Sequence, residues 1–196
     1  MSQPFRVSVD LDDNAARTLL RRLGSDKLKA QAQSRALNHT AGTANTIVKR
    51  KLMEAMSLRN RKFLNRNMRV YKSRESTLTA SIRGSGQTVA YAYMKGVSEQ
   101  PGSVVVSKRH GSGTKTHQRA FKTRLTTGHL GYFQRRSPGT RRIRELKGPA
   151  IPWAMQREIV TKAFNDHVPG RYIARLRHEI NRIIQRAKAR SATRRR

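Results

Sequence analysis

The stretch DKLKAQAQSRALNHTAGTANTIVKRKLMEA, residues 26–55, decides the fold. Ser25 or Asp26 is the kind of residue that begins a helix. Gly42 costs roughly 1 kcal/mol inside a helix. Apolar residues nevertheless recur every three or four positions, the spacing of one helical face: Leu37, Ala41, Ala44, Val48, Leu52 and Ala55. The pattern predicts a long helix whose small residues let a neighbour approach closely.

The residues before this helix predict a strand followed by a shorter helix. FRVSVDL, residues 5–11, alternates apolar and polar side chains, which is typical of a strand. One of residues 12–14 can cap a helix that runs to about Leu23, and Gly24 ends it.

After the long helix, Ser57 is the expected N-cap of a short helix over residues 58–68. Basic and amide residues occupy most of its circumference. Two interpretations stay open: a helix that faces phosphate, or a solvated connector. The candidate phosphate contacts here are Arg59, Arg61, Lys62 and Arg66.

The middle of the chain changes to a period of two, which predicts strands. Alternation over residues 78–82 and 89–93, with GSGQ (84–87) between, predicts a hairpin. Further strands are expected at 104–108, 119–125 and 130–135. Residues 96–116 are rich in Gly, Ser, Pro and Thr, and we expect a long basic loop that carries VVVS as a strand. The basic, loop-rich insertion covers about residues 96–118.

The C-terminal part predicts two helices. GPAIPW (148–153) precedes the first, and Pro152 sits where a helix can begin. Pro169-Gly170 is expected to break the run. The last helix has apolar residues at helical spacing: Tyr172, Leu176, Ile180, Ile183 and Ala187.

The order strand, helices, strands, helices predicts an α+β fold. We expect a small, mostly antiparallel sheet packed with long N-terminal and C-terminal amphipathic helices. One domain is predicted over residues 1–190, followed by a basic C-terminal tail at 191–196. The run AKARSATRRR, residues 187–196, is expected to be mobile in isolation.

The charge balance is the strongest functional signal. The chain has 196 residues, with 43 Lys and Arg against 11 Asp and Glu, so its formal net charge is +32. So much charge on a small body repels itself and favours an anionic partner, with nucleic acid first and an acidic protein second. No run of about 18 apolar residues occurs, so no membrane span is predicted. The mixed polar and acidic N-terminus argues against a secretory signal peptide.

The positive charge concentrates between Glu99 and Glu145, where no acid occurs. Arginines and lysines in this stretch are the main candidates for phosphate contacts: Arg135, Arg136, Arg141, Arg142, Lys108 and Arg109.

No catalytic or cofactor site is predicted. The absence of cysteine excludes thiolate chemistry. His110, His117 and His129 lie near one another in sequence, but surrounding cations disfavour a metal ion there. The carboxylates are dispersed, and the pattern Asn165-Asp166-His167 is expected to be a helix-terminal turn. We therefore expect a protein that is not an enzyme and that needs no metal or cofactor.

The aromatic residues admit two interpretations. Tyr91, Tyr93, Tyr132, Phe133 and Trp153 could stack on nucleobases. Their alternation favours core packing.

Two segments resemble the minor tail protein Z family of tailed bacteriophages and prophages. They are residues 36–68, a small-residue helix leading into a basic segment, and residues 147–184, an apolar-Pro motif followed by a "Thr-Ala-Phe" helix. The matching residues are Ile151, Pro152, Thr161, Ala163, Phe164, Pro169, Ile180 and Ile183.

This resemblance implies a structural virion protein that completes the tail. It implies a homo-oligomeric ring, with six copies favoured, at the head-proximal end of the tail and the head–tail junction. The implied partners are other tail and neck proteins (the tail terminator, tail tube or connector) and a double-stranded DNA end. Synthesis in the bacterial host cytoplasm and residence in the virion follow from it. The alternative from charge and length is a non-sequence-specific nucleic-acid-binding protein of ribosomal or nucleoid type.

Overall fold

The computed structural model describes residues 14–107 and 113–193. Its helices are α1 (Asn14–Leu20), α2 (Asp26–Ala55), α3 (Lys62–Asn67), α4 (Ile151–Met155) and α5 (Glu158–Thr193). Its strands are β1 (Met68–Tyr71), β2 (Ser81–Gly84), β3 (Thr88–Ala90), β4 (Val97–Gln100), β5 (Ser103–Ser107), β6 (Thr114–Gln118), β7 (Ala120–Arg124), β8 (Leu130–Arg135), β9 (Ile143–Glu145) and β10 (Lys147–Ala150). Long terminal helices and small antiparallel sheets confirm the α+β prediction.

The chain forms two compact units, each assembled from separate segments. The helical unit comprises, within the described residues, 14–48, 69–83 and 161–193. The sheet unit comprises 49–68, 84–107 and 113–160. The expected strand at residues 5–11 lies outside the described residues.

The helical unit has an apolar core in which helix α2 contributes mainly alanine. Ala32 and Ala36 are fully buried, and Ala44 is nearly so. Small side chains at these positions permit close packing of the neighbouring helices. The α5 residues of this core are Tyr172, Leu176, Ile180 and Ile183. The helix predicted over 26–55 is thus confirmed, and its predicted apolar face is buried up to Leu52.

A reciprocal pair of hydrogen bonds fixes the segment after β1 to helix α2. The Asn38 side-chain amide donates to the Ser73 carbonyl at 3.0 Å, and the Ser73 N–H donates to Asn38 Oδ1 at 2.6 Å. The buried Ser34 hydroxyl donates to the same carbonyl at 3.1 Å. These bonds satisfy backbone groups that would otherwise be buried without a partner.

Helix α5 corrects four predictions about the C-terminal region. It runs through Pro169 without a break, because the buried residues Val168 and Tyr172 hold both sides of the proline in the core. Asn165-Asp166-His167 therefore lies inside a helix rather than in a terminal turn. The predicted mobile tail is helical as far as Thr193, and Ala187 is exposed, so the buried stripe ends at Ile183.

The sheet unit contains a three-stranded antiparallel sheet, β4–β5–β6, where a long loop was expected. Val97 pairs with Val106, and Val104 pairs with His117. Val97, Val104 and Val106 are buried on one face, whereas the other face is rich in Ser and Thr. The strand predicted at 104–108 is confirmed as β5. The loop expected around it over 96–116 was wrong, because the Gly and Pro content masked this alternation.

A second antiparallel sheet, β7–β8–β9, follows in the same unit. Phe121 pairs with Phe133 and Phe133 with Glu145, so these three side chains share a face. The strands predicted at 119–125 and 130–135 are confirmed. Helix α4 begins at Ile151 with Pro152 in its first turn, as predicted.

The predicted hairpin around residues 84–87 was wrong, and the helix predicted over 58–68 is present but shorter, as α3 over Lys62–Asn67. Strand β2 pairs with β1, and β3 pairs with the distant β10, so long-range pairing replaces the local turn. Ser57 has a φ of 50° and no capping role, since the helix begins only at Lys62. Leu58 instead forms a β-bridge with Met94.

Candidate nucleic-acid interface

A strongly basic exposed feature of the sheet unit is the turn between β8 and β9. We call residues 135–142 the arginine loop. Its backbone is fixed from within: the Arg136 N–H donates to the Arg142 carbonyl at 3.3 Å, and the Arg142 N–H donates to the Thr140 hydroxyl at 3.2 Å. Gly139 has a φ of 73°, which a glycine adopts without strain. These internal hydrogen bonds make the loop an ordered turn.

Arg135 braces this loop. Its guanidinium Nη1 donates to the Thr140 carbonyl at 3.0 Å. The same guanidinium lies over the Phe121 ring, 5.4 Å from the ring centre. The sequence predicted a phosphate contact for Arg135, and the structure gives it a supporting role in addition.

The other three arginines of the loop point their charge to solvent. Arg136, Arg141 and Arg142 are exposed, and their guanidinium groups make no hydrogen bond or ion pair within the described residues. Arg144, on β9 behind the loop, is instead occupied by two bonds to the Gln134 amide oxygen, at 3.2 and 2.7 Å. The loop thus presents three available guanidinium groups together.

Three acids of the sheet unit, Glu54, Glu99 and Glu145, are engaged with groups other than these arginines. Glu54 pairs with Lys51 at 3.1 Å. Glu99 accepts a backbone bond from the Lys122 N–H at 2.9 Å. Glu145 pairs with His129 at 2.6 Å and with Lys147 at 3.7 Å. An uncompensated group of arginines attracts an external polyanion.

A second basic group surrounds helix α3. Arg61, Lys62 and Arg66 are exposed, while Leu64 anchors the helix in the core. Burial lowers the pKa of Lys49, and the nearby positive charge of Arg61 lowers it further. The local potential is therefore positive, as the sequence predicted for this segment.

Arg59 differs from the other members of this second group. Its Nε donates to the Met94 carbonyl at 2.9 Å, so it ties the chain after α2 to the segment before β4. The second group and the arginine loop lie on separate elements, and no hydrogen bond or ion pair joins them within the described residues. Lys108 and Arg109 lie outside the described residues.

Two of the histidines, His117 and His129, are engaged in side-chain pairs. His117 Nε2 lies 3.2 Å from the Tyr91 hydroxyl, and His129 pairs with Glu145. Burial lowers the pKa of His117, and the charges of Lys115 and Arg144 lower it further. Burial also raises the pKa of the Tyr91 hydroxyl. No cluster of three metal-ligating side chains occurs across residues 14–107 and 113–193.

The aromatic residues divide between core and surface. Tyr91, Tyr132 and Phe133 are buried, as the favoured interpretation predicted. Tyr93 and Trp153 lie at the surface, which corrects it for these two residues; the Trp153 side chain is 53 % exposed and carries the Arg157 guanidinium 5.1 Å from its ring centre.

The structure also brings together a group that sequence reasoning missed. Arg119, Phe121 and Arg135 line an open cleft of about 620 Å³ beside the turn 100–102. Arg119 precedes β7 and Arg135 ends β8, so only the pairing of these strands makes them neighbours. No local pattern in the sequence announces this arrangement.

No family model matches the chain, and neither a curated protein nor a solved structure matches it. In the part of the chain that the structure describes, no helix is both long enough and apolar enough to cross a membrane.

Proposed function

We propose that this chain is a structural virion protein of a tailed phage, a tail-completion protein that forms a ring at the head-proximal end of the tail. Its arginine loop contacts the phosphate backbone of double-stranded DNA. The observation that carries the DNA contact is the exposure of Arg136, Arg141 and Arg142 on a braced turn without any acid beside them. The tail position follows from the resemblance of residues 36–68 and 147–184 to the minor tail protein Z family.

The chemistry of this surface is that of phosphate binding without sequence preference. Arginine forms bidentate hydrogen bonds to phosphate, and each contact releases a counterion from the nucleic acid. Contacts to phosphate fix the position of a protein on a duplex but do not read bases. A protein beside packaged DNA needs affinity for any sequence, and the arginine loop supplies it.

The ring brings several copies of the loop to one DNA segment. Its partners in this proposal are neighbouring copies of the chain, six being favoured, and the adjoining tail terminator, tail tube or connector. Repeated weak contacts in a ring add up through high effective concentration. A single copy therefore needs only modest affinity for DNA.

The rival function is that of a nucleic-acid-binding protein of ribosomal or nucleoid type. The second basic group around α3 favours it, because a broad positive surface on a single copy binds polynucleotides without assembly. This function predicts tight binding by the isolated monomer. The tail function predicts a fixed number of copies in a particle.

Mass spectrometry of purified particles separates the two. Particles from an induced culture are treated with nuclease, washed at high salt and separated on a gradient. The tail function predicts this chain at constant stoichiometry in virions and in detached tails. Recovery with ribosomes or free nucleic acid alone, and none in particles, would overturn it.

A variant with Arg136, Arg141 and Arg142 replaced by Gln refines the same experiment. The variant chain is expected to enter particles, because these side chains support no contact in the fold. Its particles are expected to hold their DNA less firmly when heated or diluted into low magnesium. Wild-type retention of DNA would mean that the arginine loop faces protein rather than DNA.

A further inference from the structure

We infer that the cleft beside the arginine loop binds one unpaired nucleotide, so that the protein prefers single-stranded nucleic acid at this point. The cleft, which we call the Arg119 cleft, is lined by residues 99–102, 119–121 and Arg135. This inference rests on the nucleic-acid contact proposed above and assigns a second ligand group to the same surface.

The size and the lining of the Arg119 cleft suit a nucleotide. Its volume of about 620 Å³ lies in the range of small-molecule sites. Its apolar floor is Ala120 and the half-buried ring of Phe121. The turn 100–102 forms one wall, where Gly102 adopts a φ of 68°.

Two adjacent cations lie at the cleft. The Arg135 N–H donates to the Arg119 carbonyl at 3.2 Å, so the two residues are neighbours across the strand ends. Both side chains are exposed, and neither forms an ion pair within the described residues. Two positive side chains at one cleft favour an anionic ligand, and a phosphate group is of that kind.

Arg119 is held in an unusual backbone conformation. Its φ is 57°, a left-handed value that non-glycine residues adopt rarely. Its N–H donates to the Gly102 carbonyl at 2.8 Å, which fixes this conformation. Strained residues of this kind cluster at binding sites, because the surrounding structure holds a side chain in place.

Phe121 and Arg135 supply a flat surface for a base. The guanidinium lies over the ring and is anchored to the Thr140 carbonyl, so its plane is fixed before any ligand arrives. Nucleobases stack on aromatic rings and on guanidinium planes. An acidic peptide would use the two charges but not this platform. The carboxylate of Glu99 can instead accept a hydrogen bond from a base amino group.

The test compares two labelled oligonucleotides of equal charge by fluorescence anisotropy, using the full chain. One is a short thymidine strand, and the other has the same phosphates but abasic sugars. We expect the thymidine strand to bind about tenfold more tightly, since stacking contributes that much per base. Phe121→Leu, which keeps an apolar side chain, is expected to abolish the preference. Trp153→Leu removes an exposed aromatic elsewhere in the sheet unit and is expected to keep it.

Two further variants keep the test decisive. Arg119→Asn removes the charge with a residue that tolerates left-handed backbone, and it is expected to weaken both strands equally. Arg135→Lys keeps the charge but removes the flat group, so it is expected to reduce the preference even if Phe121→Leu does not fold.

The possible outcomes separate this inference from the proposed function. Equal affinity for both strands, with steep salt dependence, would overturn the nucleotide site and leave the phosphate contact standing. The absence of any salt-dependent binding would overturn both. Competition by poly-glutamate that depends on Phe121 would assign the cleft to an acidic peptide and overturn the inference.

Discussion

The Arg135 guanidinium donates to the Thr140 carbonyl at 3.0 Å across the turn that carries three exposed arginines. Through this bond and its stack on Phe121, Arg135 stabilises the turn that holds the other three arginines, although it neutralises none of their charge. Positive groups held close together on a short turn repel one another, so the turn needs such internal support. The relationship separates Arg135, which supports the fold, from the other three arginines of the same sequence cluster, which do not.

This separation predicts different effects for two neighbouring substitutions. Arg135→Gln is expected to lower the free energy of unfolding by about 1 kcal/mol, because it removes one hydrogen bond and one cation–π contact. Arg136→Gln is expected to leave it unchanged. Urea unfolding of both variants measures this difference. Equal free energies of unfolding would show that the Arg135 side chain does not stabilise the fold.

Two glycines are expected to respond to alanine in opposite directions. Gly42 lies exposed inside helix α2, and a Cβ there meets nothing within 4 Å. Gly42→Ala should therefore stabilise the protein by about 0.5–1 kcal/mol. A Cβ at Gly84 would lie 2.5 Å from Cγ2 of the fully buried Ile151, so Gly84→Ala should destabilise by about 1–3 kcal/mol. Thermal unfolding measures both changes. Melting temperatures that shift in the same direction for the two variants would contradict the packing described for these glycines.

The buried carboxylate of Glu179 predicts an asymmetry between ion-pair partners. Glu179 is 1 % exposed, and it bonds Arg175 at 2.6 Å and lies 3.6 Å from Arg182. Arg175→Met should cost about 3 kcal/mol, because a buried charge then loses its main partner. Glu179→Leu removes the buried charge itself and leaves arginines that reach solvent, so it should cost within about 1 kcal/mol. Chemical denaturation that gave equal losses would contradict this interpretation.

The lowered pKa of His117 predicts a loss of stability in acid. Burial, then Lys115 and Arg144, disfavour the protonated ring in the folded state. The folded state therefore binds this proton less readily than the unfolded chain, whose histidine has a pKa near 6.5. Above that pH, His117 does not lower the free energy of unfolding. As the pH drops below it, the free energy of unfolding decreases, and this decrease ends once the pH has passed the folded-state pKa.

Calorimetry between pH 7.5 and pH 5 measures this loss. His117→Gln should unfold with a smaller dependence on pH, and Lys115→Gln should reduce the dependence partly, because one repelling charge is gone. If both variants kept the full wild-type dependence, other groups would account for it.

The sequence was informative where one element buries a continuous face of its own. The Leu37–Leu52 stripe of α2 and the strands at 120–124 and 130–135 followed from periodicity alone. Prediction was wrong where distant partners decide the structure. Gly84 does not open a hairpin because β2 and β3 pair with different strands, and Pro169 does not end α5 because its buried neighbours Val168 and Tyr172 hold the helix.

The candidate site divides in the same way. Composition was enough to find the arginines at 136, 141 and 142, since their exposure follows from a charged turn between two strands. The supporting role of Arg135 and the position of Arg119 beside it depend on the pairing of β7 with β8, which no local pattern encodes.

The most direct test of the central claim is the salt dependence of duplex DNA binding by the variant Arg136→Gln/Arg141→Gln/Arg142→Gln. Each lost phosphate contact lowers the slope of log Kobs against log salt concentration by about 0.9, so the slope should fall by about 2 to 3. A matched variant with exposed Arg21, Arg22 and Arg177 of the helical unit changed to Gln alters the net charge equally and should keep the wild-type slope. Equal slopes for the two variants would contradict the assignment of the arginine loop to phosphate.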